Sequence, residues 1–520
     1  MVSPNRHPSS AAVLRLARED EVAVALTPLA VGDEISIGED KLTVLDPIPA
    51  GHKVSLVGIP VRAPIRKYGQ FIGIATQDIR AGSHVHGHNC AMGALDRPYG
   101  LATPGDAAPE TANVGAAPRT FLGYQRADGR VGTRNYVAVV SMANCSASVS
   151  RRLADGITAD ELSKYPSVDG VLALTHKGGC SMPADGAEHL QLERVLAGFA
   201  RHPNVAGYVV VGLGCEVAQA RRLIERQHLG RPGEATGPMV LVIQEEGGVR
   251  RTVEAGLSVL RQLLPAAAAA RRVQVSASNL VLGLQCGGSD GFSGITANPS
   301  LGVAVDLLVA QGGTAVLGET PEIYGAEHLL AQRAVDREVG EALIERIRWW
   351  EAYAASHGAT IDNNPTPGNR AGGLTTIFEK SLGAVAKGGS TRLNAVYGYA
   401  EQVSRRGLVL MDTPGNDPVS LTGIVAGGAT ICAFTTGRGS VYGCKPSPCI
   451  KIATTSALYR RMEEDMDLDA GVVLDGTSVE EVGRAIFDEV LAVASGKRTK
   501  SEVQGLGDEE FAPWMLGPVL

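Results

Sequence analysis

Residues 279–299 read NLVLGLQCGGSDGFSGITANP. An apolar run stops at Cys286 and opens directly into glycine, hydroxyl, carboxylate and amide groups, so the strand ends in a polar loop lined by backbone. The device recurs along the chain. VAVVSMANCSAS carries Cys145, GVLALTHKGGCSM carries Cys180, YVVVGLGCE carries Cys215, GLVLMDTPGND ends on Asp417 and TICAFTTGRGS on Ser440. In open α/β sheets the ligand crevice lies beyond the carboxyl ends of the strands, where loops gather and helix N-termini present free N–H groups. Six such strand ends predict an enzyme acting on an anionic small molecule.

Outward from these segments the chain divides. Residues 11–92 hold short apolar stretches (EVAVAL, KLTVLD, KVSLVG, GIATQDI) punctuated by Gly and Pro, which predicts a small β-rich module. Residues 93–118 are rich in Pro, Gly and Ala and read as an extended linker. From about Thr120, strands alternate with amphipathic stretches such as AQARRLIERQ, the signature of a mostly parallel sheet covered by helices. The run LLPAAAAARR, residues 263–272, reads as a helix start or a tether and marks a boundary. The expected fold is therefore α/β: the β-rich module, a middle α/β domain over 119–265 and a C-terminal α/β domain over 275–515.

The composition excludes several classes. With 520 residues and 44% hydrophobic content the chain has ample material for packed cores. A formal net charge of −7 and no basic cluster with interleaved aromatics argue against nucleic acid. No apolar run approaches the roughly 18 residues of a membrane span, and MVSPNRHPSS lacks a charged start followed by an apolar core, so a cytoplasmic protein is expected. Eight scattered cysteines do not make a disulfide scaffold; free thiols or metal ligands are expected.

Several groups point to chemistry. AGSHVHGHNC sets His84, His86 and His88 at alternate positions, which on an extended strand share one face, and imidazole suits first-row metals; the alternative is a polar surface strand. Cys145, Cys180, Cys215 and Cys286 all sit at strand ends, where thiolates bind iron or zinc well, although the spacing is not that of a compact CxxC site and any one cysteine alone reads as a packed small side chain. His176, just past a strand, is a candidate general base. Arg134, Lys380 and Arg438 lie in similar loops, with Arg438 between Gly437 and Gly439 the preferred carboxylate clamp. Asp290, Asn298, Asn369 and Asn416 are candidates for substrate hydroxyls or for loop hydrogen bonds.

GLQCGGSDGFSGITANP, GLGCE, NPTPGNRAGGLTTIFEKSLG and FTTGRGS resemble, in order, signature blocks of the altronate/galactarate dehydratase family. PAGHKV, KYGQFIG and AGSHVHGHN resemble the SAF domain at the start of that family, so the likeness covers nearly the whole chain. The resemblance implies β-elimination of water from a sugar acid, most closely D-altronate, giving a 2-keto-3-deoxy acid: a base removes the C2 proton and cations stabilise the enediolate. Together with the residue readings above, the resemblance assigns His176, Lys380 and Arg438 to catalysis, and those readings give Arg134, Asp290, Asn298, Asn369 and Asn416 to the substrate; the family block carries a histidine at the position of His176. It also implies a divalent metal, Fe(II) first and Mn(II) or Zn(II) as alternatives, on the histidines and cysteines, because altronate-type members carry the HxHxH pattern and galactarate-type members lack it. Galactarate, a lyase that eliminates sulfite from sulfolactate, and a non-catalytic sugar-acid sensor stand as alternatives. Expected partners are a small sugar acid and, as an open question, further copies of the chain.

Overall fold

A computed structural model describes residues 12–37, 40–93, 117–230 and 239–516. Almost all of the expected linker, 94–116, lies outside the described residues. The N-terminal module is β-rich. Short antiparallel strands Val13–Leu14, Val22–Ala25, Lys53–Ser55 and His84–Val85 form one sheet beside two smaller ones. Ala23, Ile35, Val44, Ile48 and Val54 fill its core.

The middle domain is a parallel four-stranded sheet. Strands β1 (Tyr136–Ser141), β2 (Gly170–Leu174), β3 (Val205–Gly212) and β4 (Met239–Val242) lie in the order β2-β1-β3-β4. The whole of β1, YVAVVS, is buried, as expected of a strand covered on both faces. Helices α1 (Asn144–Asp155) and α3 (Val249–Ala268) cover one face and α2 (Ala187–Ala200) the other. The run LLPAAAAARR is mainly the last turns of α3, neither a helix start nor a tether. Pro265 lies inside it, within the last turn.

The C-terminal domain is a parallel seven-stranded sheet of β5 (Val281–Cys286), β6 (Thr314–Leu317), β7 (Leu393–Tyr397), β8 (Gly407–Met411), β9 (Ile431–Thr436), β10 (Cys449–Ala453) and β11 (Leu468–Asp469). Their order is β7-β8-β6-β5-β9-β10-β11. Helices α4 (Ala297–Ala310) and α7 (Val479–Ala494) cover one face through Leu301, Val305, Ile486 and Val490. On the other face α6 (Asp417–Ala426) packs against α2, so the two parallel domains share one core. The approach is close: a Cβ on Gly198 would lie 2.3 Å from the Ala426 carbonyl oxygen. The chain leaves β5 toward β6 on one side and later returns to β9 on the other, so the end of β5 is a topological switch point.

The N-terminal module docks beside that point. The Gly51 carbonyl approaches so closely that a Cβ would lie 2.0 Å from it at Gly291 and 2.3 Å at Gly373. Beneath it, α5 (Ile377–Val385) presents Glu379, fully buried, to Lys53 at 2.9 Å and Lys67 at 2.9 Å. Thr375 donates both its N–H and its hydroxyl to the same carboxylate. Burial alone would raise the Glu379 pKa, but the two ammoniums hold it well below the usual carboxylate range.

Breaking such a buried cluster by removing one partner costs about 3–5 kcal/mol. Glu379→Ala, which strands two buried ammoniums, is expected to lose stability of that order in urea unfolding. Because the folded pKa is depressed below 4.5, the carboxylate's contribution is full above that pH and lost as the pH falls. Acid should therefore destabilise wild type more steeply than Glu379→Gln, and equal slopes would refute the assignment.

Candidate active site

The first feature is a histidine centre. Lys53 pairs with Val85 and Val54 with His84 in antiparallel register, which sets His52, His84 and His86 on one face. Their donor nitrogens all lie within 4.8 Å of one another. His52 Nε2 faces the Ala371 carbonyl at 3.3 Å, which turns its Nδ1 toward His84 Nε2 at 3.0 Å. His86 Nδ1 is buried and has no partner. Burial and then the neighbouring His52 depress His84 to about 3, and burial followed by Lys53 depresses His86 to about 4, so both imidazoles are neutral near pH 7. Three neutral imidazoles with one orphaned nitrogen fit a first-row divalent ion.

The membership differs from the expected HxHxH triad. Only His84 and Val85 are in the strand; the chain turns at residues 86–89, pinned by Asn89, whose Oδ1 accepts the His86 N–H at 2.9 Å and whose N–H reaches the His86 carbonyl. His88 is thrown outward and exposed. His52 takes its place.

The second feature stands at the switch point. Cys286 ends β5, and Glu319 and Glu322 follow β6 with their donor atoms within 4.8 Å of its sulfur and of one another. Glu319 pairs with Lys387 at 2.9 Å and Glu322 with Lys380 at 2.7 Å. Asn364 bridges Glu322 and Lys380, and Gln285 bridges Glu319 and Asp417. Burial, then Glu322, pushes Glu319 up to about 7, and burial pushes the Cys286 thiol up to about 12. Both carboxylates already have ammonium partners, so the group as it stands is built to hold protons, and a cation would have to displace Lys380 and Lys387.

A cleft of about 510 Å³ opens between the N-terminal module and the C-terminal domain. Arg438 is exposed in it, beside Asp290, Gly372, Arg460 and Arg461. The loop 286–290 joins this cleft to the Cys286 group: the N–H groups of Gly437 and Arg438 both donate to the Gly288 carbonyl, at 3.0 and 2.8 Å. The segment Asn364–Gly373 runs from the Lys380–Glu322 pair to Ala371 under His52. The histidines, the cleft and the carboxyl–ammonium network thus share two backbone segments.

Other predicted residues have different work. Asp290 is buried and accepts bonds from Ser293 and Thr454, and a Cβ on Gly437 would strike it, so it shapes the arginine loop. Asn298 donates to the Gly383 carbonyl and accepts from Thr435; Asn369 closes a capping box with Thr366 and donates to the Ser289 carbonyl. Both are structural. Asn416 is exposed just before α6 and makes no side-chain cap. Arg134 is 2% exposed, paired with Glu502 at 2.6 Å and bonded to the carbonyls of Val493 and Lys497, so it is a strut between domains and not a substrate ligand. His176 bonds the Ser141 carbonyl in a separate middle-domain cavity, with Cys145, Cys180 and Cys215 at the same sheet end, apart from Cys286.

Sequence reading missed His52, Glu319, Glu322, Asn364 and Lys387. For Glu319 and Glu322 a signal existed: GTAVLGETPE is one more strand end followed by polar residues.

A β-module docked on the switch point of a parallel sheet faces paired carboxyl and ammonium groups, an arrangement suited to an enzyme that moves protons. Residues 11–93 match the altronate/galactarate dehydratase SAF domain, 123–268 the second domain of D-galactarate dehydratase/altronate hydrolase, and 277–519 the D-galactarate/altronate dehydratase C-terminal domain. Altronate dehydratase of Bacillus subtilis is 35% identical over 94% of this chain and 96% of its own length. Altronate dehydratase of Escherichia coli is 36% identical over 93% and 95%, and its galactarate dehydratase (L-threo-forming) 37% over 89% of each. The chain belongs to the altronate/galactarate dehydratase family, and is a hydro-lyase. No helix among the described residues is long and apolar enough to cross a membrane.

The reassignment of Arg134 is testable. Arg134→Ala is expected to cost about 3 kcal/mol or more of folding stability, as when a buried pair is broken, with KM unchanged in the enzyme that remains folded. A large rise in KM at unchanged stability would return Arg134 to the substrate.

Proposed function

We propose that this enzyme dehydrates D-altronate to the 2-keto-3-deoxy acid, with Fe(II) held by His52, His84 and His86. The observation that carries this reading is the convergence of three imidazoles, with His52 held over the carbonyl of Ala371, a residue that also lines the arginine-bearing cleft. When bound, the metal supplies positive charge against the oxygens of the substrate. The chain's own residues do the rest. Arg438, flanked by two glycines, takes the carboxylate with paired N–H donors. Glu319, raised to about 7, is the group poised to exchange a proton near neutrality, and Lys387, Lys380 and Gln285 hold the network around it. The module forms one wall of the cleft through Leu26, Thr27 and Ala50.

Galactarate is a second reading, favoured by Arg460 and Arg461 in the same cleft, which suit a second carboxylate. Assaying the purified protein with Fe(II) against hexonates and hexarates, with detection of 2-keto-3-deoxy product, separates the two. Turnover of galactarate but not altronate would overturn the first, and turnover of neither would overturn both.

Metal affinity is expected to fall at least about 10-fold in His52→Ala and His86→Ala, since even outer partners of a site cost that much, and to change little in His88→Ala. Competition against a chromogenic chelator reads this directly; equal affinities in all three variants would dismiss the centre. With Glu319 as the proton acceptor, kcat/KM should rise with pH through an apparent pKa near 7 that belongs to the coupled group. That limb should vanish in Glu319→Gln, and its survival would move the base elsewhere.

A further inference from the structure

The middle sheet has a switch point of its own. From β1 the chain passes to β2 on one side and then to β3 on the other, so a crevice is expected where those three strands end. Each of the three ends carries one cysteine: Cys145 as the second residue of α1, Cys180 in the loop after β2 and Cys215 in the loop after β3. The loops are laced together by backbone bonds. Asn144 N–H donates to the Gly178 carbonyl at 3.1 Å, and Ala218 N–H to the Gly179 carbonyl at 3.1 Å. Gly179, at φ +97°, leaves no room for a side chain, because a Cβ would lie 2.3 Å from the Met142 carbonyl. Burial, and then Cys145, push the Cys180 thiol up. Cys145 and Cys215 are exposed and Cys180 is half-buried, unlike the buried Cys90, Cys432, Cys444 and Cys449 that pack as small apolar groups.

The three sulfurs do not all lie within 4.8 Å of one another. A single zinc-like ion with bonds of about 2.3 Å would hold thiolates about 3.8 Å apart. A larger inorganic core spans a wider set. We propose that Cys145, Cys180 and Cys215 bind a cubane iron–sulfur cluster at the switch point of the middle sheet, with three protein ligands and one iron left open to the crevice. Each thiol gives up its proton on binding. The positive end of the α1 dipole, one residue from Cys145, faces the negative charge of the cluster. The cavity that holds His176, about 610 Å³ and walled in part by Asn144 and Gly178, opens alongside. This site is separate from the histidine centre and does not depend on the substrate assigned above.

The full chain, purified under argon and supplied with ferric iron, sulfide and excess dithiothreitol as reductant, is expected to carry about four iron and about four sulfide ions, with a broad visible absorption that bleaches on reduction. Cys180→Ser and Cys215→Ser should lose most of that sulfide and absorption while keeping the wild-type circular dichroism spectrum. His52→Ala should keep them. In wild type, bound cluster should shield Cys145, Cys180 and Cys215 from alkylation, read by peptide mass mapping. Equal sulfide content in wild type and Cys180→Ser, iron or zinc held without sulfide, or a disulfide between any two of these cysteines in the anaerobic protein would each overturn the proposal.

Discussion

Two ammoniums and one carboxylate, all out of water, hold this molecule in its working arrangement. Lys53 and Lys67 belong to the N-terminal module and Glu379 to the C-terminal domain, so the cluster is the joint between them. Desolvating three charges is expensive and is offset only where every donor and acceptor is satisfied. Here Glu379 accepts from Lys53, Lys67 and Thr375, and Lys53 also donates to the Gly373 carbonyl at 2.6 Å. Such a cluster specifies geometry more than it adds stability, since only one placement of the module satisfies it. His52 precedes Lys53 in the chain, so the ion pair that fixes the module also fixes the imidazole over Ala371.

The strain in the site follows the same logic. Glu319 has φ +61°, a left-handed conformation that costs a non-glycine residue about 1–3 kcal/mol. It persists because the surroundings over-determine it. Thr413 accepts the Glu319 N–H at 2.6 Å, while Gln285, Lys387 and the Cys286 N–H hold the carboxylate. The result is a carboxyl group turned back over the end of β5, buried enough to be raised toward neutrality. An ordinary right-handed turn after β6 would not be expected to direct it there.

The β-rich start, the α/β remainder and the role of strand ends were legible because they rest on local signals: apolar runs, periodicity and glycine-rich exits. Cys286 and Lys380 were found by their blocks, and the structure sets both in one network. What the sequence did not reveal is pairing. Nothing local tells that His52 lies across from His84, because that follows from antiparallel register between segments about thirty residues apart in the chain. His88 failed for the opposite reason: a period-two reading assumes the strand continues, and Asn89 ends it by bonding back to His86 and His84. Arg134, Asn298 and Asn369 looked like ligands because polar residues in loops serve substrate and backbone alike, and only their partners tell the roles apart.

The division of labour between the modules has a thermodynamic consequence. The imidazoles come from one module and Arg438 with the carboxyl–ammonium network from another, and the Glu379 cluster joins the two. A ligand that binds only the assembled form stabilises it by mass action. A metal on the histidines and a substrate on Arg438, as proposed above, would therefore favour the same docked state, and each would raise the affinity for the other if the undocked form binds neither. On the proposed assignment the β-rich module is part of the active site, because it supplies His52, His84 and His86. Its covalent fusion to the catalytic domains keeps its effective concentration high enough for a buried, water-sensitive joint to form.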